Sequence, residues 1–246
     1  MNGRARRTPG RTSGLPAALA RLGQGVLRPA DATEVYARPS QEFARLVERG
    51  VLHKVATGYY VVVPLAARDR TWRPTLEAVA YGIAAADYGA DGSILMGRSA
   101  ARMHGVIPRA LGVAVVAVDR DRPTIALADR EATVVFVRRD TARLDAERVS
   151  TDLGSALVTS VEQTVLDLAR RPALGGSPAD APEIVRGLWP RADEQRMQVL
   201  ASSNGCARLF VGPEPGRVAE SCSTPSSSRR LPRSSASPTT KFVATT

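Results

Sequence analysis

Between Pro39 and Pro64 the sequence leaves few ways to fold. Proline lacks the amide hydrogen a helix interior needs, yet it can open a helix. After Pro39, Phe43, Leu46 and Val47 repeat at i, i+3 and i+4, the spacing of one apolar stripe. Gly50 follows Arg49 and can take the left-handed turn that ends a helix. VLHKV and YYVVV come next, split by Ala56-Thr57-Gly58. Two β-rich runs around a short glycine turn predict a hairpin. Upstream, Leu15, Leu19 and Leu22 recur at helical spacing before Gly23 and Gly25. Pro29 can then open a second helix through ADATEVYA, with Arg38-Pro39 as the corner before the third. Residues 15–64 therefore predict three short helices followed by a hairpin.

That order describes a winged helix-turn-helix, whose second paired helix enters the DNA major groove because the groove is wide enough to admit it. The face of helix 39–49 opposite Phe43, Leu46 and Val47 carries Gln41, Arg45 and Arg49, with Ser40 at its N-terminal end. Arginine can hold guanine O6 and N7 with two parallel bonds, and glutamine can do the same for adenine. Ser40 and the helix N-terminus can hold a phosphate oxygen. Arg38, at the corner, joins this candidate DNA-binding set. Lys54 and Thr57 fall near the hairpin tip, where a wing touches the DNA backbone. The same residues also read as a solvated face, with Glu42 and Glu48 weakening its positive field.

The net charge of +10 does not choose between these readings. Residues 1–14 hold four Arg and no acid, and residues 202–246 hold six basic groups against two acidic ones. Residues 65–201 carry eighteen of each sign. The excess lies at the ends, so charge alone does not make the folded part a nucleic-acid binder. Residues 1–14 are expected to be a disordered basic arm. Residues 202–246 are rich in Ser and Pro and almost without periodicity, and they read as a disordered tail. The only cysteines, Cys206 and Cys222, lie in that tail. A disulfide framework is thereby excluded, and a cytoplasmic location is expected. No run approaches the ~20 apolar residues of a membrane helix, and no apolar segment follows the basic N-terminus as a secretory signal requires.

Residues 65–201 alternate helical and strand patterns. Leu76, Val79, Ala80, Ile83 and Ala84 predict an amphipathic helix, and SILMGRSAARMHGV predicts a short strand leading into a small helix. VAVVAV (113–118) and ATVVFV (132–137) are Val-rich and too short for helices. SVEQTVLDLARR has a stripe of Val161, Val165, Leu168 and Ala169, with a capping box from Ser160 and Gln163 or from Thr159 and Glu162. PEIVRGLW and ADEQRMQVL read as two further helices. The fold class expected is α+β or mixed α/β, with a winged helix-turn-helix at 15–64 and a second α/β domain at 65–201.

Signals for catalysis are weak. His53 and His104 are far apart, no metal-ligand spacing occurs, and no phosphate-binding glycine motif is complete. His104, before Gly105, reads as structural. Asp119, Asp121 and Asp129 could hold Mg²⁺ if they converged, or could belong to charged surface turns. Asp167 faces Arg170 and Arg171 at i+3 and i+4, which predicts an intrahelical ion pair. Trp72 and Trp189 read as core or domain-interface residues. No enzyme activity, metal or cofactor is expected.

Three runs together resemble the AbiEi-type antitoxins. Arg45-Leu46-Val47-Glu48-Arg49-Gly50, then Val55, Gly58 and Tyr60, fall on that family's RLVRRG-L-x-R-x-x-x-G-x-Y run, with Glu48 a departure from its usual basic or neutral residue. GRSAARMHGV stands where the family has S-H-x-S-A-A-x-x-H-G-L, and VTSVEQTVLDLAR where it has V-T-S-x-E-R-T-L-x-D-L-A. The resemblance covers residues 15–201. It implies a winged helix that binds and represses the operon's own promoter DNA, and a second domain that opposes a co-encoded nucleotidyltransferase-type toxin. Two alternatives stay open. One is a winged-helix-targeted metal-dependent nuclease; the other is a toxin-capping interaction module without DNA binding.

Overall fold

The computed structural model describes residues 25–67 and 72–203. They form a mixed α/β structure with six α-helices and two sheets among the described residues. The N-terminal part contains β1 (Val26–Leu27), α1 (Pro39–Glu48), β2 (Leu52–Ala56) and β3 (Tyr59–Val62). The body follows with α2 (Leu76–Tyr88), β4 (Ser93–Leu95), α3 (Gly97–Met103), β5 (Val113–Val118), β6 (Ile125–Ala126) and β7 (Thr133–Arg138). It ends with β8 (Ala146–Thr151), β9 (Gly154–Thr159), α4 (Val161–Arg170), α5 (Ala181–Leu188) and α6 (Glu194–Ser203). The predicted basic arm at 1–14, the helix carrying Leu15, Leu19 and Leu22, and the tail beyond Ser203 with Cys206 and Cys222 lie outside the described residues.

α1 forms as its stripe requires. Phe43 and Leu46 are buried against Leu27, Val51 and Leu52, and Phe43 meets Tyr60 edge-on at 5.2 Å between ring centroids. Gly50, at φ +66, ends the helix. Its amide donates to Val47 O at 2.9 Å, and the Val51 amide donates to Leu46 O at 2.9 Å. These two bonds satisfy carbonyls the helix would leave open. β2 and β3 form the predicted hairpin, and β1 joins its other edge, giving the antiparallel order β1-β3-β2.

The predicted second helix is shorter than its sequence suggests. It is one 3₁₀ turn, Pro29–Ala32. Asp31 accepts from the Arg28 guanidinium at 2.6 Å and from the Arg28 amide at 3.2 Å, and only Ala32 of the turn is buried. Val35 is exposed, so a longer helix there would have little apolar surface to bury.

The large sheet runs β6-β7-β5-β4-β9-β8, with parallel pairs β5/β7 and β4/β9. β5 is central, and Ala114–Val118 is fully buried. That is why it reads as an unbroken apolar run rather than an alternation. α2 departs from its predicted stripe. Every residue from Leu76 to Ala84 is buried, Glu77 included, because the helix lies between the two sheets, packed against β1, β4, β5 and β9. Its Ala and Gly content lets both sheets approach. One core results, joining Val26, Val55, Ala56 and Val61 to Val79, Ala80, Ile83, Val116 and Val118. Trp72 packs against this core, and Trp189 against a second one built from α3, α4, α5 and α6.

Half of the predicted capping box of α4 forms: the Gln163 amide donates to Ser160 Oγ at 3.1 Å, while the Gln163 side chain turns to Asp167 instead of back to the cap. Asp167 is favoured in its ionised form by Arg170 and Arg171, as the helical spacing predicts. It is 1 % exposed and accepts from Gln163 Nε2 at 3.1 Å and Arg139 Nη2 at 3.3 Å. The stripe turns Asp167 inward, and the β7 end brings Arg139 to it. Burial pushes this carboxyl above its ordinary pKa, while Arg139, Gln163, Arg170 and Arg171 pull the other way.

Candidate functional site

The apolar stripe of α1 fixes what the helix shows to solvent. With Phe43 and Leu46 inward, Ser40, Gln41, Arg45, Glu48 and Arg49 are exposed, and Arg38 is exposed at the N-cap. Arg38 makes no side-chain capping bond. Arg45 Nη1 meets Glu42 Oε1 at 2.5 Å, so part of its charge is answered within the helix. Glu48 lies three residues beyond Arg45 and shares its exposed side. The surface is therefore polar and mixed in sign, with Arg38 and Arg49 forming no ion pair among the described residues.

Lys54 is exposed on β2, opposite Tyr60 of β3. Residues two apart on a strand share a face, so Lys54 emerges on the side of Leu52, Tyr60 and α1. Thr57 is exposed at the hairpin turn beside Gly58, whose φ is +84. The fold thus gathers Arg38, Ser40, Gln41, Arg45 and Arg49 on one helix, adds Lys54 from the adjoining sheet, and sets Thr57 farther out at the tip.

The opposite face of the hairpin is not free. Val55 and Val61 are fully buried in the shared core, and the Ala128 amide donates to Val55 O at 2.8 Å. His53 Nε2 lies 2.9 Å from Asp129 Oδ2, which Arg130 also reaches at 2.9 Å. Burial raises the Asp129 carboxyl, but bonds and charges from Arg130 and His53 outweigh it and hold the group below its ordinary pKa. A second cluster centres on Asp87 of α2. Arg28 reaches it at 2.5 Å and Tyr59 Oη donates at 2.7 Å. Arg122 pairs with it too, stacked 4.8 Å from the Phe136 ring centroid. These contacts tie the N-terminal part to the body. No spacing pattern reveals them, since Arg28 and Asp87 are 59 residues apart and His53 and Asp129 are 76.

The three aspartates that could have formed a Mg²⁺ site do not meet. Asp119 pairs with Arg120, Asp121 with Arg138, and Asp129 with His53 and Arg130. Among the described residues no group of three or more His, Cys, Asp or Glu is placed to hold a metal ion. His104 is buried, with Nε2 2.8 Å from Thr159 O, the structural setting expected of it. No helix among the described residues is long and apolar enough to cross a membrane.

Comparison with known proteins bears on the body. Residues 93–210 match the family model of the AbiEi antitoxin C-terminal domain, a span that opens at β4. The curated proteins give no match. Among solved structures, the crystal structure of the RV2827C protein from Mycobacterium tuberculosis is similar with a TM-score of 0.45 at 20 % identity. That alignment covers 72 % of this chain and 66 % of that one, so this chain spans just under two thirds of its length. Over residues 93–210, just under half of its length, the chain is thus similar to the AbiEi antitoxin C-terminal domain.

Proposed function

We infer that the chain is a DNA-binding antitoxin. Residues 15–64 read the promoter of its own operon and repress it, and residues 65–201 oppose a co-encoded nucleotidyltransferase-type toxin. The observation that carries the DNA half is the outward set Gln41, Arg45 and Arg49 on α1. Gln41, Arg45 and Arg49 supply base-reading groups. Arg38, Ser40, Lys54 and Thr57 supply backbone contacts that set the register of the helix in the groove. Arg45 must leave Glu42 to reach a base, so Glu42 tunes affinity from within the helix.

The test joins both halves in one strain. A reporter driven by the upstream DNA should be repressed by the full chain, and cells expressing the toxin should grow when the chain is present. The variant R45A should release the reporter and still rescue growth. Repression that survives R45A and R49A together would remove α1 from the DNA-reading role. A second reading rests on Glu42 and Glu48: the outer surface of α1 meets a basic protein surface instead. On that reading E48K weakens growth rescue, whereas on the first it tightens promoter binding.

A further inference from the structure

A cleft of about 660 Å³ opens between α3, the 106–109 segment and α5, away from the set on α1. Arg98 of α3 lines it while being only 4 % exposed. Its guanidinium lies on bare backbone at Gly176: a Cβ built there would come within 2.6 Å of Nε, Cζ and Nη1. Arg98 Nη1 donates to Asp180 Oδ2 at 2.6 Å, and Arg109 Nη2 donates to the same oxygen at 3.1 Å. Arg98 Nε is buried with no hydrogen-bond partner.

One carboxylate oxygen therefore serves two guanidinium groups, each of which carries five N–H donors in a planar fork. The pair keeps one positive charge in excess, since Arg186 and Glu183, which also line the cleft, cancel. A buried N–H without an acceptor is costly, and a tetrahedral oxyanion brings several acceptors at once. Asp180 is partly exposed, so it can swing aside for one. The wall is apolar, with Ile107, Pro108 and Ile184, and the volume falls within the roughly 300–1,000 Å³ of small-molecule sites. Phosphate alone would leave most of it empty.

We propose that this cleft binds a phosphate-bearing small ligand of nucleotide size, its phosphate held by Arg98 and Arg109 in place of Asp180 and its body against the Ile107–Ile184 wall. The site is separate from α1, and its test needs neither DNA nor toxin.

The test is calorimetric titration of the full chain with inorganic phosphate, AMP and ATP. A nucleotide should bind more tightly than inorganic phosphate. The variant R109A removes an exposed side chain and should weaken binding about ten-fold. D180N removes the internal competitor and should tighten it. Because Arg98 is buried and its loss risks the fold, R109A and D180N carry the test. No binding of any of the three ligands to wild type or D180N at millimolar concentration would overturn the site. Binding indifferent to R109A would do the same. Equal affinity for phosphate and AMP would overturn its assignment to a nucleotide-sized ligand.

Discussion

The outer side of α1 and the body-facing side of the small sheet belong to one short stretch of chain, yet they are built on opposite rules. On α1, Arg45 answers Glu42 in an exposed pair, while Arg38 and Arg49 stand in solvent. On the hairpin's inner side, Val55 and Val61 have no solvent exposure, and the charges at its margin, His53, Asp129, Arg28, Asp87 and Arg122, are all paired. An exposed ion pair contributes about 0–1 kcal/mol, so the α1 surface can change without disturbing the fold. The inner face cannot. The difference separates position from contact: the buried face fixes where α1 stands relative to the body, and the exposed face is left free to choose what it touches.

Substitutions should divide along the same line. Ile83→Ala on α2 empties space in the shared core and should cost about 2–5 kcal/mol in denaturant unfolding. It should loosen both halves in a single transition. If the hairpin instead melts well before the body, the shared core does not join them. Asp87→Ala leaves Arg28, Arg122 and Tyr59 Oη without their common partner and should cost about 2–3 kcal/mol, less than a fully buried pair because Asp87 keeps some solvent contact. Thermal melts of Asp87→Ala and Arg122→Ala, alone and combined, should show the losses failing to add, as expected of residues in contact.

Arg45→Ala should act on the other side of the comparison. It should leave the unfolding free energy within about 0.5 kcal/mol of wild type and weaken promoter DNA binding by about 1–3 kcal/mol. Glu42→Gln should tighten DNA binding by a smaller amount.

Two buried aspartates give the subtlest contrast. Asp129 has a lowered pKa in the fold. Its contribution to stability is full above the ordinary carboxylate pKa and is lost as pH falls through the lowered value. Asp167 has a raised pKa, so its contribution is full below the ordinary value and is lost as pH rises through the raised one. Stability measured across acid pH should therefore lose its low-pH decline in part with Asp129→Asn. The decline on the rising side should lessen with Asp167→Asn. The same pH curve for both variants would contradict these opposite settings.

Local rules carried the sequence reading a long way. Pro39, the 43/46/47 stripe and Gly50 define α1 by hydrogen bonding and burial within a dozen residues. Val113–Val118 declares itself because both its faces are covered. The hairpin β8/β9 gave no such signal, since Glu147-Arg148 and the Ser and Thr residues around them make no apolar run and the pair is half exposed. α2 looked amphipathic because Glu77, Ala78, Tyr81 and Gly82 fall off its Leu76–Ala84 stripe, although they are buried as well and its small residues are what allow two sheets to close on one helix. For Asp167 the spacing pointed to Arg170 and Arg171, and the fold adds Arg139 from outside the helix, which no local spacing reveals. At the candidate site the exposed residue types were readable from the stripe alone. Their pairing with Glu42 and the docking of the hairpin depend on side-chain geometry and on partners far away in the chain.

The most direct test of α1 is a gel-shift titration of the full chain on its own upstream DNA, with random-sequence competitor, at two salt concentrations. Wild type should give a shift that survives competitor. Its affinity should fall with salt at a slope of about −0.9 per phosphate contacted. R45A should lose the competitor-resistant part and keep a similar slope, because a base contact has gone and the phosphate contacts remain. An R45A protein that shifts the upstream DNA as tightly and as selectively as wild type would contradict the account of α1 as the reading helix.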